Sequence, residues 1–211
     1  MKHIRKLLSV LAAALFAATV GIGSASAQTR GKYGPGASDT EVKVGLTAPF
    51  SGPLSSLSNT GETTKAYVAM INDAGGVNGR KINLIALDDA YNPAKAVEQV
   101  RRLVEQDEVL FIYTQIGTPT STATQKYLNL KGVPQVFSTT ISSKFNDPAG
   151  APWSSSGVFS GVAEGTMFGK YVATKLKTAK VAILYQNDDF GKDYVKGFKS
   201  AIADSSGVQV V

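Results

Sequence analysis

The stretch VLFIYTQIGTPTS, residues 109–121, decides how the chain is read. Val109 to Tyr113 is a continuous apolar run, the pattern of a strand buried on both faces in a parallel sheet. Pro119 then opens a helix, at the one position where proline's missing N–H costs nothing. Ala123, Tyr127 and Leu130 follow on one side of that helix, and Thr118 stands where it would cap it. Between strand and helix lies a hydroxyl-rich turn with no basic residue.

The same rhythm extends outward. Upstream, Val42, Val44 and Leu46 alternate with polar residues over 41–48, a strand signal. After a loop at 49–58, Asn59 and Glu62 match a capping box. Tyr67, Met70, Ile71 and Ala74 continue at helical spacing until Gly75-Gly76 stops them. A second strand begins at Ile82 and ends at Asp88-Asp89. Asn92 and Pro93 open a helix whose buried face is expected to be Val97, Val100 and Val104. Downstream, Gln135 to Ser138 reads as a fourth strand. Strand and helix in alternation predict right-handed crossovers and an α/β fold with a doubly wound parallel sheet.

Residues 139–160 interrupt the alternation with Asn146-Asp147-Pro148, Pro152 and a run of serines, the expected crossing to a second lobe. Beyond it the spacing predicts a helix near 163–176 with Met167, Phe168, Tyr171 and Val172, a strand from Lys180 to Tyr185, and a helix marked by Val195, Phe198 and Ile202. A further strand begins at Val208. The organisation expected is a first lobe over 41–141 and a partial second lobe over 142–211, in a chain cut from a longer reading frame.

The N-terminus carries a different signal. Lys2, Arg5 and Lys6 precede an apolar run from Leu7 to about Gly23, and Ala25-Ser26-Ala27 follows. That is the form of a cleavable secretory signal peptide, residues 1–27, cut after Ala27. Residues 28–40 read as a flexible lead-in. Removing the leader takes away half of the net charge of +6, so no nucleic-acid partner is expected. The chain has no cysteine and a single histidine, His3. Disulfides, thiolate chemistry, histidine triads and histidine or cysteine metal sites are thereby excluded.

Several segments invite a chemical reading. Gly75 to Arg80 is glycine-rich, but it follows a helix and precedes a strand, the reverse of a dinucleotide loop, so a turn is expected. Asp88-Asp89 and Asp188-Asp189 sit at strand ends. Neighbouring residues on an extended chain point to opposite faces, so caps and loop hydrogen bonds are the expected roles. Gln115 to Ser121 is more informative. Free N–H groups at a helix start, flanked by hydroxyls, suit a carboxylate. Ser138-Thr139-Thr140 ends another strand and adds hydroxyls. Ligands of open α/β sheets lie outside the carboxyl ends of the strands. Trp153, Tyr185 and Phe190 are aromatics that could cover a ligand's apolar part or simply pack.

The ordered segments LTAPFSGP (46–53), INDAGGVNGR (71–80), DDAYNP (88–93), GVP (132–134) and NDDFGK (187–192) resemble the leucine/isoleucine/valine-binding type of periplasmic solute-binding protein, which serves ABC importers. The resemblance spans about 41–211. It implies the type I periplasmic binding fold, two lobes that close on a ligand, no cofactor, no enzymatic activity, a monomer, and an inner-membrane ABC permease as partner. It also implies that Gly117 and Thr118 hold the ligand's α-carboxylate and α-amino groups, completed by Thr139 and Ile141. Phe190 from the second lobe and Leu57 from the first loop would meet the side chain. The acidic group that the family uses for the ammonium lies beyond residue 211. The implied ligand is a branched-chain or other apolar amino acid, with aromatic or aliphatic carboxylates as the alternative. An enzyme would need a nucleophile, a base and an orienting group, and no such set stands out. A ligand-sensing receptor ectodomain is a further alternative.

Overall fold

The computed structural model describes residues 33–211 except 177, 205 and 206. The expected signal peptide therefore lies outside the described residues. Two parallel sheets organise the chain. The first has five strands in the order β2-β1-β3-β4-β5: β1 (Glu41–Ala48), β2 (Lys81–Asp88), β3 (Phe111–Tyr113), β4 (Gln135–Ser138) and β5 (Ser154–Ser156). The second pairs β6 (Ala179–Val181) with β7 (Val208–Val210). The helices between strands are α1 (Asn59–Asp73), α2 (Pro93–Glu105), α3 (Thr118–Lys131), α4 (Gly161–Lys175) and α5 (Asp189–Ile202). The doubly wound parallel α/β expectation is met.

Local chemistry explains many boundaries. The Asn92 side chain accepts from the Ala94 and Lys95 N–H groups and caps α2, with Pro93 in its first turn. Asp188 caps α5 through the N–H groups of Phe190 and Gly191. The glycine-rich segment after α1 is a turn: Gly75, Gly76 and Gly79 have positive φ, and Val77 and Arg80 exchange backbone hydrogen bonds. The main core lies between α2, α3 and the first sheet, where Val100, Leu103, Val109, Ile112 and Leu128 pack together.

Several expectations fail, each for a packing reason. Asn59 and Glu62 form no capping box, because α1 runs on from a 3-10 turn at Ser55–Ser58 and residue 58 is already helical. Tyr67 and Met70 of α1 face outward. The strand at 109–113 shortens to β3, and Leu110 is exposed, so the run is not buried on both faces. Leu103 replaces Val104 in the fully buried face of α2. The Lys180–Tyr185 strand shortens to β6, which pairs with β7 alone among the described residues, and Leu184 is fully exposed. β5, which lies inside the stretch 139–160 read as the crossing, adds to the first sheet beside β4. Residues 33–40, expected to be flexible, are tied to the sheet: Lys43 N–H donates to the Gly36 carbonyl at 2.7 Å, and Tyr33 donates to Asp39 at 2.8 Å.

The α4–α5 contact is the largest correction. Met167, Phe168 and Tyr171, the large apolar residues that mark this helix in the sequence, are all exposed. The buried residues of α4 are Gly161, Gly165 and Gly169. A Cβ at Gly165 would overlap the Tyr194 carbonyl, and one at Gly169 would lie 2.7 Å from Ala201 Cβ. Gly197 of α5 approaches the Val162 carbonyl just as closely. The helices meet backbone to backbone, which only glycine permits. Phe198 and Ile202 then pack with Val208 beneath them.

Candidate functional site

A cleft of about 680 Å³ opens beyond the carboxyl ends of β3 and β4. One wall comes from the first sheet's loops: Leu57, Tyr91, Gly117, Thr118, Thr139 and Ile141. The opposite wall comes from α4, the β6–α5 loop and α5: Glu164, Gln186 and Phe190. All six residues singled out from the sequence, Leu57, Gly117, Thr118, Thr139, Ile141 and Phe190, line this one cavity. Trp153 and Tyr185 do not.

Gly117 sets the geometry of the first wall. Its φ of 102° turns the chain from strand into helix, a conformation disfavoured for other residues. Its N–H donates to the Thr139 carbonyl at 3.2 Å, and the Thr139 N–H donates to Gln115 at 2.9 Å. A Cβ there would collide with the Tyr91 ring and lie 2.9 Å from Thr120 Oγ1. Thr118 does not cap α3 as expected, since it is the helix's first residue and no side chain caps this end. Its hydroxyl pairs instead with that of Thr140 at 2.8 Å, and Thr139 pairs with Thr114 at 3.1 Å. Each pair uses one of its two protons internally and leaves one free to donate.

Behind this wall the expected apolar side of α3 is reversed. Leu130 is exposed, while Thr120, Ser121, Thr124 and Leu128 are buried. The reason is a buried polar network. Gln115 Oε1 accepts from Gln135 Nε2 at 2.7 Å and from Thr124 Oγ1 at 2.9 Å. Gln135 Nε2 also donates to the Ser121 carbonyl, and Ser154 Oγ donates to Gln135 Oε1 at 3.2 Å. Thr120 Oγ1 reaches back to the Ile116 carbonyl at 2.6 Å. Such a network holds the Ile116–Thr118 turn in one arrangement.

The floor near Tyr91 is strained and acidic. Ala90 and Tyr91 both have positive φ, 51° and 58°. The two aspartates before them do loop work, as expected. Burial raises the Asp89 carboxyl, which accepts the Tyr91 N–H at 2.9 Å. Partial burial would also raise Asp88, but hydrogen bonds from Lys95, Ser51 and the Ala90 N–H outweigh it and hold it well below the usual range. Burial likewise raises Tyr91, whose hydroxyl neighbours Gln186 across the cleft.

The sequence reading missed Tyr91, Gln186 and Glu164. The left-handed residues before Asn92-Pro93 leave no mark in composition. Glu164 reads as an ordinary first-turn acid of a helix. No lysine, arginine or histidine lines the cleft among the described residues, and those residues contain no group of three or more His, Cys, Asp or Glu placed to hold a metal.

Comparison with known proteins gives the family. Residues 41–211 match the model described as periplasmic binding protein. The chain belongs to that family. It is 26% identical over 200 residues to Leu/Ile/Val-binding protein homolog 3 of Brucella melitensis, covering 92% of this chain and 50% of that protein. Its fold is similar to the fatty acid ABC transporter substrate-binding protein from Thermomonospora curvata, with TM-score 0.71, 22% identity, and coverage of 85% of this chain and 45% of that one. It is also similar to a solute-binding protein of an ABC transporter from Rhodopseudomonas palustris BisB5, solved with 3,4-dihydroxy benzoic acid. There the TM-score is 0.68 at 24% identity, covering 81% of this chain and 46% of that one. The chain thus spans half or less of the length of each of these proteins.

Proposed function

We propose that this protein is the substrate-binding component of an ABC import system, which captures a small apolar amino acid in the periplasm by closing two lobes and delivers it to an inner-membrane permease. One observation carries the reading. Thr118 at the start of α3 and Thr139 just after β4 bring hydroxyl donors to a cleft that no cation lines among the described residues, with Leu57, Ile141 and Phe190 supplying apolar surface. Neutral donors at a helix N-terminus suit one carboxylate, and the apolar residues suit a hydrocarbon side chain. Membership of the periplasmic binding protein family and the basic-apolar leader support export and capture rather than catalysis.

The Brucella relative is named for leucine, isoleucine and valine, which favours a branched-chain ligand. A second reading, an aliphatic or aromatic carboxylate, draws on the fatty-acid and dihydroxybenzoate proteins that share the fold. Calorimetric titration of the protein with apolar amino acids, short fatty acids and benzoates tests both. Micromolar or tighter binding of one class is expected. Failure of all three classes to bind would overturn the proposal.

A further inference from the structure

Tyr91 reaches from one wall of the cleft to the other, and its backbone is held for that purpose. Ala90 and Tyr91 are consecutive non-glycine residues with positive φ. Such strain persists only where the surroundings enforce it, and it gathers at functional sites. Here the surroundings are explicit. Asp88 accepts the Ala90 N–H at 3.0 Å, Asp89 accepts the Tyr91 N–H at 2.9 Å, and the Asn92 N–H donates to the Asp89 carbonyl at 2.8 Å.

The ring is seated on the turn that opens α3. A Cβ on Gly117 would lie 2.5 Å from Tyr91 Cε2, so the missing side chain is what admits the ring. The hydroxyl then neighbours Gln186 of the opposite wall. Burial raises the Tyr91 hydroxyl, which keeps it a neutral donor. Gln186 is prepared as its partner. Its Nε2 donates to Asp188, the cap of α5, and its Oε1 is left to accept. Gln186 is otherwise exposed, so its side chain contributes little to packing. Elsewhere the segment after Ile141 is already joined to α5: Ser143 N–H donates to Asp193 at 2.6 Å, and Lys144 pairs with Asp189 at 2.7 Å.

We propose that Tyr91 is a positioning residue that, seated on Gly117, bridges to Gln186 when the cleft holds its ligand and so slows the ligand's release. The inference rests on the solute-binding reading above and adds how that site retains what it binds. Tyr91 acts on the opposite wall rather than on the ligand. Its effect therefore falls on the dissociation rate, and is the same whatever hydrocarbon the ligand carries.

The test is stopped-flow kinetics on the full chain with leucine, isoleucine, valine, octanoate and benzoate as probes. The proteins are the wild type, Tyr91→Phe, Gln186→Leu and the double variant. Tyr91→Phe keeps the ring on Gly117 and removes only the hydroxyl. Each single variant is expected to speed release about threefold to tenfold, the worth of one neutral hydrogen bond, with association unchanged. The double variant is expected to be no faster than either single one, because both remove the same contact. The factor should be equal for every probe that binds. Faster release in Tyr91→Phe but not in Gln186→Leu would place the hydroxyl on the ligand and overturn the bridge. Additive effects, or unchanged release in both, overturn it too. Chemical denaturation without ligand is the control: a Tyr91→Phe chain destabilised as much as its affinity falls has lost a structural bond only, which also overturns the bridge. In each of these cases binding by the wild type leaves the solute-binding reading standing. A wild type that binds none of the probes overturns that reading and this inference with it.

Discussion

The hydroxyls of Thr118 and Thr140 meet at 2.8 Å, with both side chains buried. That bond ties the first residue of α3 to the segment just after β4, 22 residues further along the chain. It also fixes where the remaining proton of the pair can point. Thr118→Val removes a donor from the cleft and leaves Thr140 without its partner. A ligand carboxylate should lose about 1–3 kcal/mol of binding free energy. Calorimetry on the variant checks this, and unchanged affinity would assign the Thr118 hydroxyl to the fold alone.

The network behind the site should be as sensitive. Gln135→Leu deletes the donor that Gln115 Oε1 accepts at 2.7 Å, and leaves buried oxygen atoms of Ser121 and Gln115 short of partners. A cost of roughly 1–3 kcal/mol in stability is expected, because buried acceptors lose their donor without regaining water. Chemical denaturation measures it. A variant as stable as the wild type would mean that the turn does not depend on this network.

The glycine contact between α4 and α5 gives a third expectation. Gly165→Leu places a side chain where the Tyr194 carbonyl stands. The helices must separate, and a destabilisation of about 1–3 kcal/mol or more should follow. Hydrogen exchange should speed up in α4 and α5 and stay slow in β1 and α2. Uniform change across the chain would contradict a local contact.

Acid should affect Asp88 in a defined window. Its carboxyl is held below the usual range by bonds from Lys95 at 2.7 Å, Ser51 and Ala90. A lowered folded value means that the stabilisation is present above the unfolded value, about pH 4, and fades as the pH falls through the folded value. Asp88→Asn should therefore cost about 1 kcal/mol near neutrality, discounted for its partly exposed position, and progressively less in strong acid. Denaturation curves at pH 7 and pH 2.5 check it. A cost that grew on acidification would reverse the assignment. Asp89 works in the opposite sense, since its raised carboxyl favours the fold at low pH and loses that advantage as the pH rises.

Legibility from sequence differed by element. The caps at Asn92 and Asp188 were readable because a cap is local chemistry, settled within three residues. The strands at 41–48 and 135–138 were readable from alternation and from their short apolar content. The cleft residues Thr118 and Thr139 were readable as hydroxyls at strand ends, where this class of sheet places ligands. Helix faces misled. In α3 and α4 the apolar residues Leu130, Met167 and Phe168 point outward, while threonines and glycines face in. Hydrophobic spacing assumes that burial follows apolarity, and two other forces prevailed here: a satisfied polar network in α3 and close backbone approach in α4.

The sequence by itself determined the alternating elements, the parallel sheet and the hydroxyl-rich turn, since periodicity, caps and turn residues act over a few neighbours. The tertiary structure alone decided which faces are buried, that β5 joins the first sheet, and that Tyr91, Gln186 and Glu164 stand around the cleft with Thr118. Those facts depend on pairs far apart in the chain, such as Gln115 with Gln135 or Glu164 with Tyr194. No local pattern encodes them, because each partner's role exists only once packing has brought the other within hydrogen-bonding distance.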